Sequence, residues 1–160
     1  MTTRSEASGA RRRGSRKRTV EVVGLDHVQI AIPRGEEALA RLFYGGVLGL
    51  QEVRKPRALS GRGGAWFIGP GVAIHLGVED SFVPAWKAHT AFVVANLAKA
   101  RGRLAAHGVE IVDDDAALPV DRCYVRDPFG NRIELIDAVG AGFTGERPRR
   151  PPDHGTEPSR

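Results

Sequence analysis

Cysteine is nearly absent from this sequence, and its scarcity excludes two classes of protein. The 160 residues contain one cysteine, Cys123, so the chain can form neither an internal disulfide framework nor a cysteine-based zinc site. A single cysteine fits a reducing compartment, and we expect a cytoplasmic protein. Long apolar runs are missing as well. No stretch of about 18 apolar residues occurs, so we expect no transmembrane helix and no membrane partner.

Acidic residues are scarce at the N-terminus, and this makes the net charge misleading. Residues 1–19 contain seven basic residues and one acidic residue. Subtracting the +6 of this segment and the +1 of 141–160 from the net charge of +5 leaves −2 for 20–140. We therefore predict a disordered basic tail at 1–19, a folded domain at 20–140 and a disordered Pro- and Arg-rich tail at 141–160.

The basic tail suggests two functions that we do not expect. Its arginine run at 11–13 resembles a twin-arginine export signal, but no apolar segment follows it, which argues against export. Nucleic-acid binding would depend on this tail alone, because the rest of the chain is mildly acidic. A solvated tail explains the same composition.

The domain between the tails repeats one order of predicted elements. Alternating apolar residues predict strands, and apolar residues at helical spacing predict helices. Each half reads strand, helix and three strands, over 22–80 and again over 86–138. Neither half can bury its sheet face alone, so the two must pack together or pair with a second chain. The predicted strands lie at 22–32, 50–54, 65–68, 72–78, 88–94, 109–112, 122–126 and 132–137, the helices at 36–48 and 97–107, and a mobile loop at 55–64.

Three of the five histidines and one glutamate occupy equivalent strand positions in this repeat. His27 and His89 lie in the first strands of the two halves, and His75 and Glu134 lie in the last strands. A lone strand histidine is usually a satisfied polar group, and a lone glutamate usually pairs with an arginine. Four such residues at equivalent positions instead predict one divalent metal ion. Imidazole and carboxylate suit Zn²⁺, Ni²⁺, Fe²⁺, Mn²⁺ or Co²⁺, and the lack of thiolate argues against a purely structural zinc.

Four motifs carry a resemblance to a known family. They are Leu25-Asp26-His27-Val28, the segment AIHLGVE at 73–79, the segment AHTAF at 88–92, and the turn and strand DPFGNRIE at 127–134. Together they resemble the vicinal oxygen chelate superfamily, which includes glyoxalase I, fosfomycin-resistance transferases, bleomycin-resistance proteins and extradiol dioxygenases. The resemblance covers residues 22–138. It implies an α+β fold of two paired βαβββ modules that form a half-barrel cup around a metal ion, usually in a homodimer.

The resemblance also implies roles for single residues. It places His27, His89 and Glu134 on the common ligand set of the superfamily, and His75 on a fourth position that is glutamate in glyoxalase I. Glu134 is also the candidate catalytic base. Tyr124 matches a tyrosine with which fosfomycin transferases contact their substrate. The candidate substrate-binding residues are Gln29, Trp66, Arg122, Tyr124 and Arg132.

The expected function follows from an open metal site. A divalent ion with vacant positions can bind two neighbouring oxygens of a small molecule and stabilise the negative charge that develops on them. We therefore expect a metal-dependent lyase, isomerase or dioxygenase with a small-molecule substrate. The alternative is a ligand-sequestering antibiotic-resistance or binding protein of the same fold. The substrate, the metal and the reaction stay open at this point.

Overall fold

The structure, a computed structural model, describes residues 19–114 and 119–142. The predicted tails therefore lie almost entirely outside the described residues. The strands are β1 (Val28–Pro33), β2 (Gln51–Val53), β3 (Trp66–Gly69), β4 (Val72–Glu79), β5 (His89–Val94), β6 (Ile111–Asp113), β7 (Arg122–Arg126) and β8 (Arg132–Asp137). The helices are α1 (Glu37–Ala40), continued by a π-helical segment (Arg41–Val47), a 3-10 helix (Arg57–Arg62) and α2 (Leu97–Ala106).

Each half of the chain forms one four-stranded sheet with the same topology. The strand order is β1-β4-β3-β2 in the first sheet and β5-β8-β7-β6 in the second. In both sheets the first pair is parallel and the other two pairs are antiparallel. The predicted α+β class and the two βαβββ modules are confirmed. The sheets do not close into a barrel.

Strand register confirms that the modules repeat each other at the level of single residues. Trp66 lies opposite His75 in the first sheet, and Tyr124 lies opposite Glu134 in the second. Because side chains alternate between the two faces of a strand, each of these pairs shares one face. The positions of His75 and Glu134 are therefore equivalent in the folded protein, as they are in the sequence.

One face of each sheet builds the hydrophobic core. Apolar residues at every second position of β1, β4, β7 and β8 point to this face, as alternation requires. The helices cover it with a few large side chains. The buried core residues of the strands and helices include Ile30, Ile32, Phe43, Tyr44, Phe67, Ile74, Leu76, Leu104, Val125, Ile133 and Leu135.

A buried polar network joins the two modules. The Tyr44 hydroxyl, at the first module's helix, donates to Asp127 Oδ2 over 2.9 Å, and both residues are buried. The Asn131 side-chain amide donates to the backbone carbonyl of Ala31 in β1 over 2.9 Å. Asp127 and Asn131 belong to the predicted turn before β8. Here Gly130 takes the positive φ, 91°, that closes the turn.

Three predicted segments differ from the structure in where they begin or in their type. The first strand begins at Val28 rather than at 22, because β1 and β4 pair from Val28 onward, and the preceding Val22 is 83% exposed. The predicted helix at 36–48 becomes π-helical from Arg41. Helical spacing predicts one apolar side with Leu39, Leu42 and Phe43, but only Phe43 of these is buried, together with Tyr44, whereas Leu39 and Leu42 are exposed. The loop predicted at 55–64 contains the 3-10 helix.

No helix within the described part of the chain has the length and apolar character needed to span a lipid bilayer.

Candidate functional site

The predicted site residues lie on the sheet faces that point away from the core, which we call the open face of each module. In the first module, Gln29 and His75 are paired across β1 and β4, and His27 immediately precedes β1. In the second module, the sequence alone leaves open which face of β7 Arg122 and Tyr124 occupy. Because Tyr124 lies opposite Glu134, Arg122 and Tyr124 both lie on the same face as Glu134. The second open face carries His89, Arg122, Tyr124, Arg132 and Glu134.

Glu134 lies at the centre of the second module's polar cluster. Its carboxylate is 6% exposed. Oε2 lies 2.9 Å from His89 Nε2, and Oε1 accepts a hydrogen bond from Arg122 Nη1 over 3.1 Å. The arginine partner that a strand glutamate usually has is therefore present, and a histidine lies at the other carboxylate oxygen. A buried carboxylate requires such partners, since an unpaired buried charge is costly.

Arginines and a tyrosine extend this cluster along the open face. The Arg132 guanidinium lies 3.8 Å from the centre of the Tyr124 ring, and the His89 ring meets Tyr124 edge-on at 5.6 Å. Arg122 also forms an ion pair with Asp114. Burial alone would lower the pKa of Arg122, but the hydrogen bond and charge of Asp114 raise it overall. The Arg122 guanidinium therefore stays charged.

Three aromatic rings form a stack on the open face of the first module. The His75 ring lies 3.7 Å from the Trp66 ring and 3.9 Å from the His27 ring, centroid to centroid. Burial, and then the charge of His27, lower the pKa of His75, so this ring is neutral at neutral pH. Beside the stack, Gly77 leaves room for the Gln29 amide, because a Cβ at Gly77 would lie 2.8 Å from Gln29 Nε2.

The first histidine of each module is oriented through the same ring nitrogen. His27 Nδ1 lies 2.6 Å from the Asp26 carboxylate. His89 Nδ1 lies 2.9 Å from the backbone carbonyl of Lys87. Both partners are acceptors, so Nδ1 carries a proton in each ring. This leaves Nε2 as the nitrogen through which His27 and His89 can bind a cation.

The structure brings the predicted ligands together as two pairs. His27 meets His75 in the first module, and His89 meets Glu134 in the second. Among residues 19–114 and 119–142, no three His, Cys, Asp or Glu side chains converge as a metal site requires. Sequence reasoning missed the orienting role of Asp26, although an acidic residue directly before a candidate ligand is a usable signal. The Lys87 carbonyl has no such signal, because every residue carries one.

The chain is also similar to known proteins in sequence and in fold. Residues 24–135 match the Glyoxalase/Bleomycin resistance protein/Dioxygenase superfamily. The chain belongs to this superfamily. It is 46% identical to a glyoxalase family protein of Bacillus anthracis whose crystal structure superposes with a TM-score of 0.72, covering 75% of this chain and 98% of the other. This superfamily is the one that the four sequence motifs resemble, so that resemblance is confirmed.

Two further relatives are more distant. Glyoxylase I 4 of Arabidopsis thaliana is 28% identical over 129 residues, which cover 74% of this chain and 72% of that protein. The fosfomycin resistance protein FosX of Listeria monocytogenes is 20% identical, covers 72% of this chain and 91% of its own, and superposes with a TM-score of 0.60. At this identity the second comparison shows the shared fold alone. The superfamily is thus established, whereas the reaction is not.

Proposed function

We propose that this protein is a divalent-metal-dependent enzyme, a lyase, isomerase or dioxygenase, with a small oxygen-rich substrate. His27, His89 and Glu134 would hold the ion. When bound, the ion would supply Lewis-acid stabilisation of the charge that develops on two neighbouring substrate oxygens. The buried, unpaired state of Cys123 is consistent with the cytoplasmic location that we propose.

The contact between His89 and Glu134 carries the proposal. Nδ1 of His89 donates to the Lys87 carbonyl, and its Nε2 lies 2.9 Å from Glu134 Oε2. With Nδ1 donating to the carbonyl, the Nε2 lone pair of a neutral imidazole faces a carboxylate lone pair. A divalent cation between the two atoms would accept both lone pairs. The donor set, two imidazoles and a carboxylate, suits first-row divalent ions.

The other residues of the open face have roles in orientation and substrate binding. Arg122 holds Glu134 Oε1, which fixes the carboxylate plane and directs Oε2 at His89 and the ion; the role of catalytic base is our assignment to the Glu134 carboxylate as a whole. Arg132 stacks over Tyr124, and no described residue accepts a hydrogen bond from its guanidinium. Its N–H groups can therefore bind substrate oxygens. Gln29 and Trp66 would form the opposite wall of the site.

We further propose that the working form is a homodimer. The two ligand pairs do not converge within the described residues, so a second copy can supply the missing half of each site. Two features of this chain are consistent with a partner. β1 is an edge strand of its sheet, and the apolar Val20, Val22 and Val23 just before it are 83–92% exposed. Exposed apolar side chains beside a free edge favour association.

A second candidate function is metal-free sequestration of a ligand. The ion pair between Arg122 and Glu134 favours it, because the guanidinium already neutralises the carboxylate without any metal. Trp66, Tyr124 and Arg132 would then bind the ligand through stacking and charge. This candidate predicts binding without turnover, and without dependence on divalent ions.

Metal content tests the two candidates directly. Protein purified without chelator should contain about one first-row divalent ion per chain by elemental analysis, since the proposed site holds a single ion. His89→Ala and Glu134→Ala should lose it. His107→Ala and Glu79→Ala are matched controls, because both residues are exposed and lie outside the site, and they should keep the ion. The loaded protein is then assayed with methylglyoxal and glutathione, fosfomycin and catechols.

The contradicting outcome is equally clear. If the wild-type protein contains no metal, and Ni²⁺, Zn²⁺, Mn²⁺ and Fe²⁺ each fail to raise its thermal unfolding midpoint, the metal-dependent enzyme is excluded. Binding of an ion to the native protein, and not to the unfolded chain, should raise that midpoint by mass action. Equal loss of metal in the two control variants would also contradict the assignment, because the ion would then not depend on the proposed ligands.

A further inference from the structure

The three-ring stack contains one histidine that cannot share a metal ion with its neighbour. His75 lies between Trp66 and His27, parallel to Trp66 within 5° and tilted 25° from His27. Both faces of the His75 ring are therefore covered by other rings. Only the edge of the ring remains open to polar contacts.

Ring geometry excludes joint coordination by His27 and His75 in this arrangement. An imidazole nitrogen binds a metal through the lone pair in its ring plane, at about 2.1 Å. The two rings are nearly parallel, with centroids 3.9 Å apart. An ion bonded to one nitrogen of each ring would have to lie about 2 Å out of both ring planes, where neither nitrogen has a lone pair. At most one of the two histidines is a ligand.

Hydrogen bonding distinguishes the two rings. Histidines that bind metals usually donate their second ring nitrogen to a carboxylate or carbonyl, which fixes the tautomer and the ring direction. His27 has such a partner, because its Nδ1 lies 2.6 Å from Asp26. No described residue forms a hydrogen bond with the His75 ring. The orienting contact therefore selects His27 as the ligand.

We infer that His75 is a positioning residue, which holds the plane of the His27 ring by stacking and does not bind the ion. Trp66 supports the other face of His75, so the three rings act as one rigid unit. Asp26 then sets the direction of the His27 ring, and the stack sets its plane. This inference depends on the proposed function where it concerns the ion, although the stack itself requires no metal.

Two substitutions of His75 separate stacking from coordination. His75→Phe keeps a flat ring and removes the nitrogen donors. His75→Glu keeps a donor that can bind a metal and removes the ring. A positioning role predicts that the Kd for Co²⁺, measured by calorimetry on the full chain, stays within about 3-fold in His75→Phe and rises about 10-fold or more in His75→Glu, the usual effect of losing an orienting contact. Trp66→Leu should raise the Kd in the same way.

Coordination by His75 predicts the reverse order. His75→Phe would then lose Co²⁺ binding, and His75→Glu would retain it with an absorption spectrum shifted by the exchange of a nitrogen donor for an oxygen donor. That result overturns the inference. Equal loss of Co²⁺ affinity in both variants also overturns the inference, because the flat ring of His75→Phe would then not suffice to position His27. Unchanged affinity in both variants overturns it too, because the stack would then have no effect on His27.

A metal-free measurement keeps the inference separate from the proposed function. In long-range ¹H–¹⁵N spectra of the metal-free chain, His27 should show the Nδ1–H tautomer in the wild type and in His75→Phe. In His75→Glu the His27 ring would lose the plane in which its Nδ1 donates to Asp26, so its signals should be averaged. If the wild type binds no Co²⁺ but gives this pattern, the proposed metal-dependent function fails and the positioning of His27 stands. If His27 gives the same signals in all three proteins, the positioning role is wrong.

Discussion

The hydrogen bond from Tyr44 to Asp127 should contribute measurably to the stability of the whole domain. Tyr44→Phe removes only the hydroxyl, which donates to Asp127 Oδ2 over 2.9 Å between two buried residues. Burial, followed by the charge of Asp127 and this hydrogen bond, raises the pKa of Tyr44. The hydroxyl thus stays protonated and is always a donor. A hydrogen bond to a charged group contributes about 1.5–3 kcal/mol to stability.

The remaining hydrogen-bond partners of Asp127 reduce the loss of stability expected for Tyr44→Phe. After the substitution the carboxylate still accepts from the Asn131 side chain and from the backbone N–H groups of Phe129 and Asn131. It is therefore not left unpaired, and the loss should lie in the lower half of the range, at about 2 kcal/mol. For a urea m-value of about 2 kcal/mol/M, the unfolding midpoint should fall by roughly 1 M.

Tyr124→Phe is the matched control for this measurement. It removes the same hydroxyl from a half-buried tyrosine on the open face, and no described residue hydrogen-bonds that oxygen. Its unfolding free energy should change by less than about 0.5 kcal/mol. Both variants are unfolded in urea and followed by far-UV circular dichroism. If Tyr44→Phe shifts the midpoint no more than Tyr124→Phe does, the bond to Asp127 does not stabilise the junction between the modules.

Three further predictions concern the backbone and the second helix. Gly64→Ala should destabilise the domain by at least about 3 kcal/mol in urea unfolding, since φ is +74° and the Cβ would lie 2.0 Å from a β4 carbonyl oxygen. Gly61→Ala is the control and should not destabilise the domain in this way, because a Cβ there would have no atom within 4 Å. Asn96→Ala should cost about 1 kcal/mol, because Asn96 caps α2. The Leu97 N–H, and then a second backbone N–H, lower the pKa of Asp137. Asp137→Asn should therefore lose stability at pH 7 and progressively less below about pH 4.

Each of these has a contradicting result. Equal stability of the two glycine variants would mean that the close approach at Gly64 relaxes without cost. An Asn96→Ala variant as stable as the wild type would mean that the helix N-terminus is satisfied by water. For Asp137 the sign is fixed by a pKa that is lowered in the fold. The stabilisation is present above the ordinary carboxyl pKa and lost as the pH falls, so an equal difference at pH 7 and pH 3 would contradict it.

Much of the fold was predictable because a strand with one buried face alternates apolar and polar residues. Ile133 and Leu135 alternate with Glu134, and the structure buries the first two in the core and places the third on the open face. The start of β1 was not predictable from the same rule. The apolar Val22 continues the pattern, but pairing with β4 begins only at Val28, although β4 itself begins at Val72, two residues before the partner of Val28. Where two strands begin to pair is a tertiary property that local periodicity does not contain.

The residues of the candidate site can be named from the sequence, but their arrangement cannot. The repeat placed His89 and Glu134 among four equivalent strand positions, and the structure brings these two into contact. The sequence repeat could not show that His27 and His75 stack face to face, because strand register fixes which side chains are neighbours and leaves their rotamers free. Nor could it show whether the two pairs converge. That depends on how the modules pack against each other and against a second copy.

The duplicated fold provides four equivalent positions, whereas three protein ligands suffice for an open catalytic metal site. The equivalent last-strand positions, His75 and Glu134, have different surroundings in the two modules. In the second, Glu134 contacts His89 and Arg122, which together fix the direction of its carboxylate. In the first, the equivalent His75 is neutral and enclosed between two rings. A position released from coordination is free to become a packing element, and its neighbour His27 gains a fixed plane as a result.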